Sequence, residues 1–181
     1  MKVVEPPGLG DSGVFWTIIK GMNMRILFPV ERFSEVSAIL APFALSMARL
    51  FGGELHVLRV EPPIDQFMAL RIKEAEEWLD EFVAKNLAYS NITIHKAKVV
   101  PGEPAVVILK YIDENEIDGV IIGTHGIKGL SGILFGSVAK EIVGKSPVPV
   151  LTVNPYKLTD SYKARVNEHL KRRVGDLFKK H

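Results

Sequence analysis

Between Met24 and Val153 the chain alternates short apolar runs with longer amphipathic ones, and this alternation limits the fold more than any other feature. "MRILFPV" (24–30), "ELHVLRV" (54–60), "IDGVIIG" (117–123) and "VPVLTV" (148–153) are near-continuous hydrophobic runs of strand length. Such runs mark strands buried on both faces, the pattern of a parallel sheet. "NITIHKAKVV" (91–100) alternates polar and apolar residues instead and reads as a half-exposed strand near a sheet edge.

The segments between these runs repeat at helical spacing. Val36, Ile39, Leu40, Phe43, Ala44, Met47 and Leu50 share one face over 34–51, with Ser34 as N-cap, Gly52 past the end and an expected kink at Pro42. Phe67, Met68, Ile72, Ala75, Trp78, Leu79, Phe82 and Val83 predict a second helix from about 64 to 87. Pro104, just after Glu103, opens a third helix, and a fourth is expected around 136–144. Strands alternating with helices predict one α/β domain, a parallel sheet covered on both faces by right-handed crossovers. In such sheets ligands bind beyond the carboxyl ends of the strands.

At that end of the most hydrophobic strand stands "GTHGIKGLSGILFGS" (123–137), with five glycines in fifteen residues. Glycine costs conformational entropy, so this density implies sharp bends or a close approach of backbone to a ligand. Amides in a glycine-rich turn that enters a helix attract anions, phosphate above all. Gly123, Gly126, Gly136 and Ser137 give the spacing G-x2-G-x9-G-S. Two other phosphate motifs are excluded. A dinucleotide fingerprint needs glycine where His125 stands, and a P-loop ending at "GKS" (144–146) needs glycine where Ala139 stands.

The run "DGVIIGTHGIKGLSGILFGSVAKEIVGKSPVPVLTV" resembles the C-terminal half of a universal stress protein, with the ATP-binding signature G-2x-G-9x-G-(S/T) of that family intact. "ILFPV" resembles the family's first strand, "LHVLRV" its second, and "GEPAVVILKYIDENEIDGVIIG" its third helix and fourth strand; the likeness covers 24–154. The resemblance implies a five-stranded parallel sheet in the order 3-2-1-4-5 and a homodimer joined through the last strand (148–153). It also implies ATP as the bound cofactor, with any Mg2+ arriving on the nucleotide. The phosphates would lie on Gly126, Gly136 and Ser137, with Gly123 near the ribose, Pro29 closing the ribose side and the backbone of Val57 at the adenine edge. Where the family has an aspartate after the first strand, "PVERFS" puts Glu31, one methylene longer, and adds Arg32. Arg32 either faces solvent or approaches a phosphate. Lys128 either pairs with the triphosphate as a point charge or is solvated, and His125 reads as structural.

The implied function is a nucleotide-dependent sensor or regulator in stress response. No catalytic residue or protein metal site is assigned, and at most slow ATP hydrolysis is expected. Two alternatives remain: a slow ATPase or a phosphoryl- or adenylyl-transfer enzyme, or a dimeric scaffold that holds no nucleotide. The added motifs HIGH and SGGxDS of related transferases are absent.

The ends of the chain fall outside the pattern. Residues 1–23 read as an N-terminal extension with an apolar "VFWTIIKGM" patch. Residues 155–181 read as a basic amphipathic helix striped by Leu158, Tyr162, Val166, Leu170, Val174 and Phe178. This tail carries eight Lys or Arg against three acids in a chain whose net charge is +2, so the body is mildly acidic. Docking of the stripe on the chain's own body or on the dimer partner is the favoured reading, with mutual covering of the stripe and the apolar 14–19 segment as the specific expectation. An anionic membrane surface is the weaker one, and nucleic acid is disfavoured by the scarcity of aromatics. The chain has no cysteine, which suits a cytoplasmic location and excludes disulfides and thiolate chemistry.

Overall fold

The computed structural model describes residues 23–31, 35–51, 53–63, 67–88, 92–96, 99–124, 136–166 and 168. Six strands and four helices follow one another as β1 (Arg25–Val30), α1 (Val36–Leu50), β2 (Glu54–Glu61), α2 (Met68–Asn86), β3 (Ile94–Lys96), β4 (Val100–Pro101), α3 (Pro104–Glu114), β5 (Gly119–Gly123), α4 (Ser137–Lys145) and β6 (Val150–Val153). A short 3-10 turn, Pro155–Lys157, follows.

The strands pair in parallel in the order β3-β2-β1-β5-β6, and β4 also pairs with β2. The expected third strand, 91–100, is therefore two short pieces along one edge of β2. Counted as one strand they give the five-stranded order 3-2-1-4-5. The alternating polarity of 91–100 fits its edge position, where pairing among the described residues is on one flank only.

Two apolar layers sandwich the sheet, and the pleat assigns residues to them. Ile26, Phe28 and Val30 of β1, with Leu55 and Val57 of β2, face Leu40, Ala44, Leu79 and Phe82 of α1 and α2. Leu27, Leu58, Val60, Val120 and Ile122 face the other way, onto Ala105, Ile108 and Ile112 of α3 and Ala139 and Ile142 of α4. Every second residue of β1 and β2 thus enters the same layer, as the period of a strand requires.

Pro42 lies inside α1, which continues unbroken from Val36 to Leu50, and Ser46 Oγ donates to the Pro42 carbonyl at 2.8 Å. The expected N-cap Ser34 and the glycine at 52 lie outside the described residues, as do 64–66, where the second helix was expected to begin. Of the two terminal segments, 1–22 is outside the described residues. The tail is helical over 160–166, and its Tyr162 ring stacks on Phe43 of α1 at 5.8 Å, with the Arg165 guanidinium 5.3 Å from the Tyr162 ring centroid. The start of the tail therefore docks on the body.

The entry into β2 is a place where only glycine fits. A Cβ on Gly53 would stand 1.7 Å from the Met24 carbonyl oxygen, which accepts the Glu54 N–H at 3.0 Å and sets the β1–β2 register. Gly53→Ala is expected to destabilise the fold by about 3 kcal/mol, the upper range for forced overpacking, because backbone rather than a flexible side chain must move. Urea denaturation of the two proteins measures it.

Candidate functional site

Helices α1 and α2 cover one face of the sheet, and α3 and α4 cover the other. The connections leaving β1 and β5 therefore diverge to opposite sides, and a crevice opens between these neighbours at their carboxyl ends. The structure has a cleft of about 510 Å³ there. Its walls come from Pro29–Glu31 at the end of β1, Leu58–Pro62 at the end of β2, Ile122–Thr124 at the end of β5 and Gly136–Ala139 at the start of α4.

The β5 side is built for an anion. The Gly136 N–H donates to the Thr124 carbonyl, so the two ends of the 125–135 connection meet at the cleft wall. Gly136 takes an extended backbone conformation and Ser137 opens α4, with no side chain capping the helix among the described residues. The amides of residues 137–139 consequently have no acceptor within the helix, and the helix dipole adds positive potential at the same point. Gly123, Gly136 and Ser137 are thus brought together. Gly126 and Lys128 lie outside the described residues.

The β1 side presents Pro29 and Glu31. The Glu31 N–H donates to Ser37 Oγ at 2.8 Å and its carbonyl accepts from the same hydroxyl at 3.2 Å, so the strand end is tied to the first turn of α1. Burial raises the Glu31 carboxyl above its ordinary value, against the opposing pull of the Arg59 charge. The extra residue Arg32 is outside the described residues.

Val57 does not line the cleft. It is fully buried in the α1–α2 layer, paired with Phe28 and Lys96, and Val60 marks the cleft end of the strand three residues later. At a rise of about 3.3 Å per residue that is about 10 Å of separation. The later "RV" of "HVLRV", not its "HV", stands at the cleft end of the strand.

Sequence reasoning also missed a charged cluster at that end. Arg59 donates to one oxygen of Glu61 at 2.7 Å, and Arg71, from α2, donates to the other. Glu61 is only 2% exposed and Arg59 8%. Burial pushes the Glu61 carboxyl up, but hydrogen bonds and charge from Arg59, then Arg71, outweigh it and hold the group below its ordinary value. The available signal was the two charges in "LRVE" (58–61), set between apolar residues of a strand that reads as buried.

An open parallel sheet with a helix opening at its switch point defines a class of α/β protein whose ligand site lies beyond the strand ends and suits an anion. The model of the universal stress protein family matches residues 22–154, most of the chain, and the chain belongs to that family. A universal stress protein of Methanocaldococcus jannaschii, MJ0531, is 28% identical over 153 residues, covering 77% of this chain and 88% of that one. Among solved structures, a universal stress protein from Archaeoglobus fulgidus superposes with a TM-score of 0.63 at 26% identity, over 72% of this chain and 98% of the other. The universal stress protein from Archaeoglobus fulgidus in complex with dAMP superposes at 0.60 with 26% identity, over 74% and 99%. The protein MJ0577 of Methanocaldococcus jannaschii reaches 0.59 at 29% identity, over 74% and 96%.

Glu31 yields a pH-dependent prediction. A carboxyl raised in the fold costs stability where it is ionised, and the cost disappears as pH falls below its unfolded value. Glu31→Gln is expected to raise the melting temperature at pH 7, with the gain vanishing below the ordinary value of 4.5. Thermal unfolding of both proteins across that range measures it.

Proposed function

We propose that the chain binds ATP in the cleft at the end of the sheet and acts as a nucleotide-dependent regulator in stress response. One observation carries this reading: α4 opens at the cleft wall beside the end of β5, and helix geometry gives the amides of residues 137–139 no acceptor within the helix. The glycine spacing through Gly126 continues the cradle, with Lys128 as a charge near the phosphates, Gly123 and Pro29 beside the ribose and Glu31 within reach of its hydroxyls. The base extends toward the end of β2, where Val60 takes the place first assigned to Val57. Mg2+ enters on the nucleotide and needs no protein ligands of its own. The dAMP complex of the Archaeoglobus fulgidus relative supports an adenine nucleotide as the ligand class.

The molecule works as a homodimer in the cytoplasm in this reading. Strand β6 ends the sheet on its side, and Leu151 is 41% exposed there, an apolar residue on an unpaired edge. No helix among the described residues is long and apolar enough to cross a membrane. The chain divides into the extension 1–23, the nucleotide domain 24–154 and the basic tail 155–181.

Titration calorimetry with ATP, ADP and AMP tests the site. Gly126→Val, which fills the cradle with a branched side chain, is expected to weaken ATP at least about tenfold while the circular dichroism spectrum stays unchanged. Unchanged ATP affinity in that variant overturns the site. Leu151→Arg is expected to convert the dimer to monomers in sedimentation equilibrium, since a charge on the joining strand cannot be buried unpaired.

A further inference from the structure

The cleft has a second charged end that the phosphate cradle leaves unused. Arg59, Glu61 and Arg71 form an arginine–carboxylate–arginine cluster with two positive charges and one negative. Each guanidinium takes one oxygen of Glu61, so both carboxylate oxygens are engaged within the cluster. Arg59 lines the cleft, is more than nine-tenths buried, and its Nε has no hydrogen-bond partner among the described residues. A buried donor without an acceptor is costly, and more so on a charged group. The Nε atom is itself closed off from solvent, and the cluster keeps its surplus positive charge.

The position of this cluster limits what can reach it. β2 and β5 are separated only by β1. Their ends therefore stand about 10 Å apart, two interstrand spacings. A nucleotide whose 5′-phosphates sit at Gly136–Ser137 crosses the end of β1 with its ribose and arrives at β2 with its far side. The base, placed beside Val60 at the end of β2, is neutral and offers nothing against the positive surplus of its neighbours Arg59 and Arg71. An oxyanion on the ribose offers both an acceptor and a charge, and arginine's planar fork of donors suits a phosphate better than any other side chain.

We propose that Arg59 and Arg71 form a second oxyanion site at the β2 end of the cleft, and that its ligand is a nucleotide carrying a further phosphate at the ribose 2′ or 3′ position. The proposal rests on the nucleotide reading above and deepens it. Glu31 is the opposing element. Its carboxylate lies within the field of Arg59 and faces the same space, so it weakens the site when ionised.

The test is calorimetry on the full chain with AMP, adenosine 2′,5′-bisphosphate and adenosine 3′,5′-bisphosphate. One bisphosphate is expected to bind at least about tenfold more tightly than AMP, the gain of a charge-assisted contact to a buried guanidinium. The ratio of the two constants within each variant is the readout. Arg59→Met and Arg71→Met are each expected to bring that ratio close to one, and Glu31→Gln to widen it. Arg59→Met leaves Glu61 with one partner; if its circular dichroism melt shows it unfolded, Arg71→Met decides, because it keeps the Arg59–Glu61 pair. Equal affinity of the native chain for AMP and both bisphosphates overturns the proposal, as does a preference that survives in Arg71→Met. Failure of AMP and ATP alike to bind is a different result: it overturns the nucleotide reading and takes this proposal with it.

Discussion

Strand β1 is the constraint on which the remaining structure depends. It pairs with β2 on one side and β5 on the other, and Ile26, Leu27, Phe28 and Val30 are buried against helices on both faces. Parallel pairing on both flanks forces each connection to cross a face of the sheet, and the two halves of the chain take opposite faces. The crevice above Pro29 and Glu31 follows from that arrangement and requires no dedicated element. What the sequence adds is chemistry at the rim: backbone amides on the β5 side and charged side chains on the β2 side.

The two ends of the sheet treat charge in opposite ways. At the amino end, the Arg25 Nε meets Glu54 at 3.1 Å, one of its terminal nitrogens meets Glu116 at 2.6 Å, and its backbone N–H donates to Asp118 at 2.7 Å. His56 bridges Glu54 and the Tyr111 hydroxyl at 3.3 and 2.9 Å, and burial, then the Glu54 charge, raises the Tyr111 phenol above its ordinary value. These groups answer one another and close the bottom of the β1–β2–β5 unit. At the carboxyl end, the first amides of α4, Glu31 and Arg59 belong to the walls of a cleft instead. A fold that satisfies its polar groups at one end and leaves them open at the other has its binding face at the open end.

The strands were legible because a buried parallel strand is a short apolar run, and β1, β2, β5 and β6 each stand within a residue or two of their expected bounds. The edge piece was less so. Period-two polarity shows that 91–100 is half exposed, but it cannot show that pairing with β2 is made in two separate stretches. At the site, Gly123, Gly136 and Ser137 were legible because their spacing is local in sequence. Arg71 was not, since its contact with Glu61 depends on how α2 lies across the sheet, and no local pattern carries that. Val57 lies away from the cleft for a related reason: a likeness matched on residue types does not say where along a strand the cleft opens, and only the register does.

The Arg59–Glu61–Arg71 cluster is hard to explain as a device for stability. Desolvating three charges costs several kcal/mol per ion, about what their mutual attraction returns, and well-packed apolar side chains in such a place are often as stable or more so. The α1–α2 layer below it is apolar, with Val57, Leu55 and Phe28 fully buried, so a continuation of that layer to the end of β2 would be physically straightforward. Instead the strand changes from apolar to charged at the point where it reaches the cleft. The same cluster fixes Glu61 in its ionised form and orients both guanidinia, which would otherwise lose conformational entropy on meeting a ligand. Its stabilising return is therefore small when the cleft is empty and larger when an anion is present, which is the energetic profile of a prepared binding surface.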